Sequence, residues 1–254
     1  MPTEKLRRPF RKAPRRQAGQ GLQERLNDNY FYLLFWRGAI SLTLLLVAVV
    51  QSLLYYFERY LHPGWYWGAA LGFSVYTAWA FRRQIPQIRN SVLGADGEKL
   101  VAEALEELRR DGYHIFHDIP GHRGNIDHIL VGPAGVFVVE TKTRSKPADH
   151  DATIRVYGAS VSIDNGPSDQ TPIAQALAAA SEVRTLLYEE TGLKPPVRAV
   201  VLFPGWFIDG WADEAWVLNQ TSILTMIRRR SMDHRLSESQ IRLLASRIDE
   251  ISRA

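Results

Sequence analysis

Cysteine is absent from the 254 residues of the chain. Its absence excludes a disulfide-stabilised scaffold, an iron–sulfur cluster, a zinc site with cysteine ligands and catalysis by a cysteine nucleophile. It is consistent with a reducing compartment. The net charge of +4 describes a mildly basic protein, but the charge is unevenly distributed. Residues 1–90 contain 13 Lys and Arg against 4 Asp and Glu, whereas residues 91–254 contain 18 against 23.

Acidic and apolar side chains are scarce at the N-terminus, where the first 20 residues include seven basic side chains and three prolines. Such a segment buries too little apolar surface to offset the entropy lost on ordering. We therefore predict that residues 1–29 form a basic, disordered tail. Its charge suits anionic lipid headgroups or nucleic-acid phosphates, and also suits a solvated tail that only sets membrane topology.

Charge is also absent from residues 38–57, a run of 20 residues of which eleven are Leu, Ile, Val or Phe. This length matches the hydrocarbon core of a bilayer. A weaker uncharged run covers residues 62–81 and has aromatic side chains at both ends, as membrane interfaces favour. We predict a transmembrane helical hairpin over residues 30–83.

The flanking charges predict the orientation of this hairpin. Nine Lys and Arg precede the first span and three arginines follow the second, while the short turn between them holds one arginine. The positive-inside rule then places both termini in the cytoplasm, in a multi-pass protein of the cell (inner) membrane that contacts the lipid bilayer. Gly64, Gly68 and Gly72 form one smooth helix face, which would suit packing on the first span or on a second copy of the chain in a homo-oligomer. Glycines at this spacing are equally typical of the ordinary composition of a membrane helix.

Residues 84–230 alternate between helical and strand patterns. The patterns predict a helix over 93–111, strands over 113–119, 125–131 and 135–142, a hairpin over 153–163, a helix over 173–191, strands over 197–203 and 215–218, and helices over 222–229 and 238–251. The order α-β-β-β-α-β predicts an α/β fold in which helices flank a mixed sheet. We assign residues 231–254 to a C-terminal helix beyond this domain.

The segment Gly132-Pro133-Ala134-Gly135 predicts a tight hairpin turn, which sets the register of its two strands. In that register Asp127 faces Glu140, and facing Cβ atoms lie about 4.5–5.5 Å apart. Lys142, two residues after Glu140, projects from the same side. Two carboxylates this close repel unless a cation lies between them, and oxygen donors favour Mg²⁺ or Mn²⁺ over zinc. The same spacing is also typical of a solvated Glu–Lys pair.

Three segments resemble the nuclease-related domain family, a branch of the PD-(D/E)XK nuclease superfamily: GADGEKLVAEAL at 94–105, GNIDHILVGPAGVFVVETKT at 124–143 and TPIAQALAAASEVRTLL at 171–187. The resemblance covers roughly residues 90–230. It implies a restriction-endonuclease-like core, which in this chain follows the two transmembrane helices predicted from the uncharged runs. It also implies an active site made of Glu98, Asp127, Glu140, Lys142 and Gln175.

The resemblance also implies a role for each of these residues. Asp127, Glu140 and the backbone carbonyl of Thr141 would hold Mg²⁺ or Mn²⁺, and Lys142 would orient or help to deprotonate a water molecule. Glu98 would bind the metal through water or hold a second ion. By position alone, Glu98 is more typical of an exposed first-turn glutamate that stabilises the helix N-terminus, and only the resemblance favours the site role.

Gln175 has two interpretations. The resemblance implies that it positions the site or contacts the phosphate. A glutamine at this point of a helix is equally typical of a solvated helix surface.

Together these observations predict a membrane-anchored, Mg²⁺-dependent nuclease that hydrolyses phosphodiester bonds of nucleic acid, DNA rather than RNA. One alternative is a non-catalytic module for nucleic-acid binding or signalling, tethered to the membrane. Another is a structural membrane protein whose acidic domain binds another protein. The negative net charge of residues 91–254 argues against tight, non-specific binding to DNA.

Overall fold

The computed structural model of the chain describes residues 32–57, 64–146, 152–231 and 235–253. The basic tail predicted for residues 1–29 and the turn predicted at residues 58–63 lie outside the described residues. Between Val92 and Leu93 the chain divides into two compact units.

The first unit contains two long helices, α1 over Tyr32–Tyr56 and α2, which begins in this unit and spans Gly64–Glu106. Two contacts join them. The indole Nε1 of Trp67 donates a hydrogen bond to Oγ of Ser52 at 2.8 Å, and the hydroxyls of Ser41 and Thr77 lie 3.2 Å apart. Because the early part of one helix meets the later part of the other, the two helices are antiparallel.

The helix α1 is strongly apolar and almost wholly exposed. Its segment Phe35–Tyr56 reaches a mean hydropathy of 2.0. Within the described ranges it is the one helix long and apolar enough to cross a membrane, judged by length and composition. This gives weak support to a membrane association. The second span, residues 62–81, stays a prediction, because glycine, alanine and polar residues dilute its apolar character.

Two of the three positions of the glycine face of α2 have open space beside them among the described residues. A Cβ atom added at Gly68 or at Gly72 would meet no atom within 4 Å. The structure therefore does not support our expectation that this face packs on the first span. Packing on a second copy of the chain stays a prediction.

The helix α2 runs without interruption for 43 residues. The sequence predicts two separate helices here, one ending near residue 81 and one beginning at residue 93. The only proline in the intervening segment, Pro86, removes one backbone donor and crowds the preceding turn, but the Arg and Gln residues around it favour helix. A 3₁₀ turn over Glu107–Asp111 follows, and Gly112 ends it with φ of 83°, as predicted.

The second unit is built on a five-stranded sheet, made of β1 (His114–Ile119), β2 (Ile126–Gly132), β3 (Gly135–Thr141), β6 (Val197–Leu202) and β8 (Ala215–Leu218). The strand order is β1-β2-β3-β6-β8. The first three strands are antiparallel neighbours, whereas β6 runs parallel to β3 and β8 runs parallel to β6. The predicted mixed sheet is confirmed.

Helices cover both faces of this sheet: α3 (Thr171–Thr191) and α5 (Glu238–Ile251) cover one, and α4 (Gln220–Ser231) and the end of α2 cover the other. Successive side chains of a strand point to opposite faces, so Val138 packs in the first layer and Val139 in the second. Both valines are fully buried. A mixed sheet between two helical layers fits the predicted nuclease-like core.

A second sheet has three strands, β4 (Thr153–Tyr157), β5 (Ser160–Ile163) and β7 (Phe207–Trp211), in the order β5-β4-β7. The hairpin of β4 and β5 is the predicted one. The sequence does not predict β7, which pairs in parallel with β4. Its apolar side chains Phe207 and Trp211 are 68% and 79% exposed, so no alternation of buried and exposed positions marks it as a strand.

Candidate functional site

The hairpin of β2 and β3 has the register that its turn predicts. The ladder runs from the pair Gly132–Gly135 to the pair His128–Val139. Asp127 and Glu140 are the next residues along the two strands, at the end of the hairpin away from the turn. The structure therefore brings the two predicted carboxylates to the same end of the same two strands.

Asp127 is half-buried, and its carboxylate accepts a hydrogen bond from the backbone amide of Thr141 at 2.6 Å. Desolvation raises the pKa of Asp127 well above its ordinary value, and the negative charges of Glu140 and Glu98 raise it further. The bond from Thr141 and the charge of Lys142 act in the opposite direction. Negative charge is costly at this position, so a cation would be favoured beside it.

Glu140 and Lys142 form an ion pair at the end of β3. The Nζ atom of Lys142 lies 2.7 Å from Oε1 of Glu140, and the two side chains are 25% and 17% exposed. The backbone amide of Lys142 donates to the carbonyl of Leu202 at 2.8 Å, which continues the ladder with β6. The lysine is thereby held with its ammonium group beside the carboxylates.

Glu98 reaches the site from α2, and its charge acts on Asp127. A close approach between α2 and the segment after β3 brings it there. A Cβ atom added at Gly97 would collide with the hydroxyl of Thr143 and lie 3.1 Å from the Thr143 Cβ. The helix passes this close to Thr143 because residue 97 has no side chain.

Gln175 lies on α3 and lines a cleft of about 540 Å³. Glu140, Arg123 and Asn125 line the same cleft. Four of the five predicted site residues are thus linked directly by contact, charge or hydrogen bond, and Gln175 shares the open cleft with one of them.

The loop that leads into β2 is fixed by a contact that the sequence analysis does not include. Asp118 is buried and adopts a positive φ of 52°, a conformation that Asp and Asn tolerate better than most residues. Its Oδ1 atom accepts a hydrogen bond from Nδ2 of Asn125 at 2.6 Å. The backbone amide of His122 donates to Oε1 of Glu182 on α3 at 2.7 Å. These bonds fix the rim of the cleft.

Comparison with known proteins shows what part of this unit is similar to. Residues 93–204 match the family model of the nuclease-related domain. All five predicted site residues lie within the matched segment, and the match indicates a nuclease-related function. A stretch of 54 residues is 43% identical to an uncharacterized protein of Bacillus anthracis. That stretch covers 19% of this chain and 26% of the relative, so the match spans about a quarter of the relative's length. No solved structure matches the chain.

The second unit also contains a histidine pair, on the sheet face opposite Asp127. His117 and His128 are cross-strand partners in β1 and β2, and their Nδ1 atoms lie 2.8 Å apart. The Nε2 atom of His117 lies 3.2 Å from Oε1 of Glu106. Burial lowers the pKa of both histidines, so both are neutral at physiological pH. No pattern in the sequence predicts this pair, because the register of β1 on β2 does not follow from a tight turn.

The candidate site has the donor chemistry that a divalent cation needs. Among the described residues, no three His, Asp or Glu side chains are arranged to hold a metal ion. Asp127, Glu140 and the carbonyl of Thr141 supply the hard oxygen donors that Mg²⁺ prefers. The desolvated charge of Asp127 lies close to a second carboxylate, and the buried hydroxyl of Thr141 has no hydrogen-bond partner within the described residues. The residues fit such a cation in chemistry, with Lys142 balancing Glu140.

Proposed function

We propose that the nuclease-related domain is a Mg²⁺- or Mn²⁺-dependent nuclease that hydrolyses phosphodiester bonds of nucleic acid, DNA rather than RNA. The observation that carries this proposal is the convergence of Asp127, Glu140 and Lys142 at one end of the sheet, beside a cleft that Gln175 lines. Paired carboxylates with a lysine beside them suit metal-assisted hydrolysis of a phosphate ester.

The carboxylates would hold the metal. Asp127, Glu140 and the backbone carbonyl of Thr141 would be direct ligands, and Glu98 would act through water. When bound, the cation supplies a Lewis acid that polarises a phosphodiester oxygen and lowers the pKa of a bound water. It would also offset the repulsion that now raises the pKa of Asp127.

The remaining side chains would bind and orient the substrate. Lys142 would donate hydrogen bonds to the attacking water or to the phosphate, and so stabilise the negative charge that develops in the transition state. Its contact of 2.7 Å with Glu140 fixes the ammonium group for this role. Gln175 would donate its amide to a phosphate oxygen. Arg123 would neutralise a neighbouring phosphate.

Cleavage assays on the purified full-length chain in detergent test the proposal. Supercoiled plasmid, single-stranded DNA and RNA are incubated with Mg²⁺, Mn²⁺ or EDTA. We expect cleavage of DNA that depends on the cation. We expect Lys142→Ala and Asp127→Asn to lose about 100-fold or more of the rate, because each removes a group that acts in the transition state.

Lys194→Ala is the matched control. It also removes a lysine, but Lys194 packs over the ring of Tyr188, 5.0 Å from its centroid, and is not among the residues that line the cleft. The control should cleave like the wild type. Absence of cleavage by the wild type, or equal cleavage by Lys142→Ala, would contradict the proposal. Binding of DNA without cleavage, unchanged in Glu140→Gln, would indicate the non-catalytic module instead.

We further propose that the two N-terminal helices anchor the domain in the cell (inner) membrane with both termini in the cytoplasm. The hydropathy of α1, the antiparallel packing of α1 on α2 and the basic flanks support this. Because the chain has no cysteine, an introduced one is unique. A membrane-impermeant maleimide should label His62→Cys in intact cells and Ala254→Cys only after lysis. Equal labelling of both variants in intact cells would contradict this orientation.

A further inference from the structure

The second sheet, made of β4, β5 and β7, carries large aromatic side chains that are open to solvent. Tyr157 on β4 is 64% exposed, and Phe207 and Trp211 on β7 are 68% and 79% exposed. Tyr157 and Trp211 are register partners in the parallel pair of β4 and β7, so they are neighbours across the two strands. Exposed apolar side chains that are grouped in this way indicate a surface for a ligand or a partner.

The opposite face of the same sheet belongs to the core. Ile154 and Val156 of β4 are buried, and Ile208 of β7 packs against the same apolar cluster. Because successive side chains of a strand point to opposite faces, Tyr157 and Phe207 lie on the face away from the core. The packed face holds the strands in place. The exposed rings therefore stand on a rigid support.

This outer face begins close to the candidate active site. The backbone amide of Lys142 donates to the carbonyl of Leu202 at 2.8 Å, and Phe207 follows Leu202 by five residues. Five residues of extended chain span at most about 18 Å. The segment after Lys142 is tied to the same place, because Nε1 of Trp206 donates to the carbonyl of Arg144 at 3.2 Å. A flexible ligand bound at Lys142 can therefore extend to Phe207.

The rings continue this path away from the candidate active site. Phe207 and Trp211 are four residues apart on β7, or about 13 Å at 3.3 Å per residue. The path from Lys142 to Trp211 is thus at most about 30 Å, which about nine nucleotides of one strand cover at the stacked spacing of 3.4 Å. Proteins that bind single strands contact about 4–16 nucleotides, so the length of the path fits such a ligand.

The charge of the sheet favours base stacking over binding to a membrane. In its three strands the charged side chains are Arg155 and Asp209, which are register partners, so the strands carry no net charge. A surface that binds anionic lipid combines apolar side chains with an excess of Lys and Arg, and that excess is missing in these strands. Nucleobases stack on aromatic rings without needing a charged partner.

We propose that Tyr157, Phe207 and Trp211 stack the bases of a single strand of nucleic acid that passes through the candidate active site. The inference rests on the proposed nuclease function and names its substrate class. Bases can stack on protein side chains only where they are unpaired, so this face selects a single strand over a duplex. Because the face contacts bases more than phosphates, its contribution to affinity depends only weakly on salt.

Fluorescence anisotropy on the full-length chain in detergent tests the proposal, with a labelled oligothymidylate of about 20 nucleotides as the probe. EDTA is present throughout, so that binding is measured without cleavage. We expect the wild type to bind the single strand at least about tenfold more tightly than a duplex of the same length. We expect Phe207→Ala and Trp211→Ala each to weaken binding about fivefold or more, because each loses a stacking ring. Trp211→Phe keeps a ring and should retain most of the affinity.

Tyr188→Ala is the matched control. Tyr188 is also an exposed aromatic side chain, but it lies on α3 and not on the second sheet, so its loss should leave the affinity unchanged. Equal binding of single strand and duplex by the wild type would overturn the proposal. So would unchanged affinity in both Phe207→Ala and Trp211→Ala. Quenching by spin-labelled lipids in nanodiscs of the tryptophan emission that Trp211→Phe lacks would then assign the face to the bilayer.

Cleavage assays distinguish a failure of this inference from a failure of the proposed function. With Mg²⁺ present, Trp211→Ala should cleave single-stranded DNA more slowly relative to plasmid than the wild type does, and Tyr188→Ala should not. If the wild type cleaves but Trp211→Ala changes neither this ratio nor the affinity, the stacking face is wrong and the nuclease stands. If the wild type binds single strands through the rings but cleaves nothing, the nuclease is wrong and the stacking face stands.

Discussion

Gly97 supports the most direct prediction about how the site is assembled. A Cβ atom added here would collide with the hydroxyl of Thr143 and lie 3.1 Å from both its Cβ and its Cγ2. The hydroxyl oxygen is buried, and a β-branched side chain has few alternative rotamers. Gly97→Ala should therefore force α2 and the end of β3 apart, and with them Glu98 and Glu140.

The magnitude follows from two opposing effects. Alanine in place of glycine favours a helix by about 1 kcal/mol, whereas an extra carbon in a tightly packed contact costs about 1–3 kcal/mol. We expect Gly97→Ala to lower the free energy of unfolding by up to about 2 kcal/mol. In a Thr143→Ala background the clash with Oγ1 and Cγ2 is gone and only the Cβ contact at 3.1 Å remains. There the same substitution should be near neutral, which gives a coupling of up to about 2 kcal/mol between the two positions.

The measurement is thermal unfolding of the full-length chain in detergent, followed by near-ultraviolet circular dichroism, for the complete double-mutant cycle. Thr143→Val is the matched control, because valine keeps the shape of threonine and so keeps the clash. It should not relieve the effect of Gly97→Ala. Stabilisation of the domain by Gly97→Ala by the full helix-propensity gain would contradict a clash with Thr143. So would relief of the effect by Thr143→Val that equals the relief by Thr143→Ala.

Two further predictions concern protonation. Burial and two neighbouring carboxylates raise the pKa of Asp127, so its ionised form destabilises the native state above the ordinary pKa. Asp127→Asn should raise the melting temperature at pH 8 in EDTA, with a gain that shrinks as the pH falls and the aspartate protonates. Added Mg²⁺ should raise the melting temperature of the wild type but not of Asp127→Asn. An unchanged melting temperature of Asp127→Asn at pH 8 in EDTA would contradict repulsion between the carboxylates. His117 and His128 have lowered pKa values, so the unfolded chain binds their protons first as the pH falls through about 6.5, and stability falls with it. Pairing with Glu106 opposes this for His117, while Arg109 adds to it. His128→Leu should flatten the decline of the free energy of unfolding between pH 7 and 5 by up to about 1.4 kcal/mol per pH unit, as measured by urea titration. An unchanged slope would count against a neutral, buried histidine pair.

The β2–β3 hairpin could be predicted because all its determinants are local. Alternating apolar residues give the strands, and Gly132-Pro133-Ala134-Gly135 gives both the turn and the register. Asp127 and Glu140 follow from that register without reference to the rest of the fold. The ion pair of Glu140 and Lys142 follows in turn from strand periodicity.

The rest of the site depends on contacts between segments distant in sequence. The approach of Glu98 rests on the contact between Gly97 and Thr143, which no local pattern encodes. The histidine pair rests on the register of β1 on β2. An irregular loop over residues 120–125 joins these strands instead of a tight turn, and Asp118 at the end of β1 has a positive φ. The strand β7 is exposed, and only its hydrogen-bonded pairing with β4 makes it a strand.

The two-residue turn at Pro133 and Ala134 has a consequence for how this domain tolerates changes in length. Inserting one residue there would slide one strand past the other by one position and turn either Asp127 or Glu140 to the opposite face of the sheet. A shift of the strands cannot bring another residue into the place of either flanking glycine. A Cβ at Gly132 would strike the ring of Tyr113, and one at Gly135 would lie 2.6 Å from the carbonyl oxygen of Pro196. Insertions and deletions that most surface turns accept should therefore be rejected here. Working homologues should keep the number of residues between the two carboxylates constant, even where the residues themselves differ.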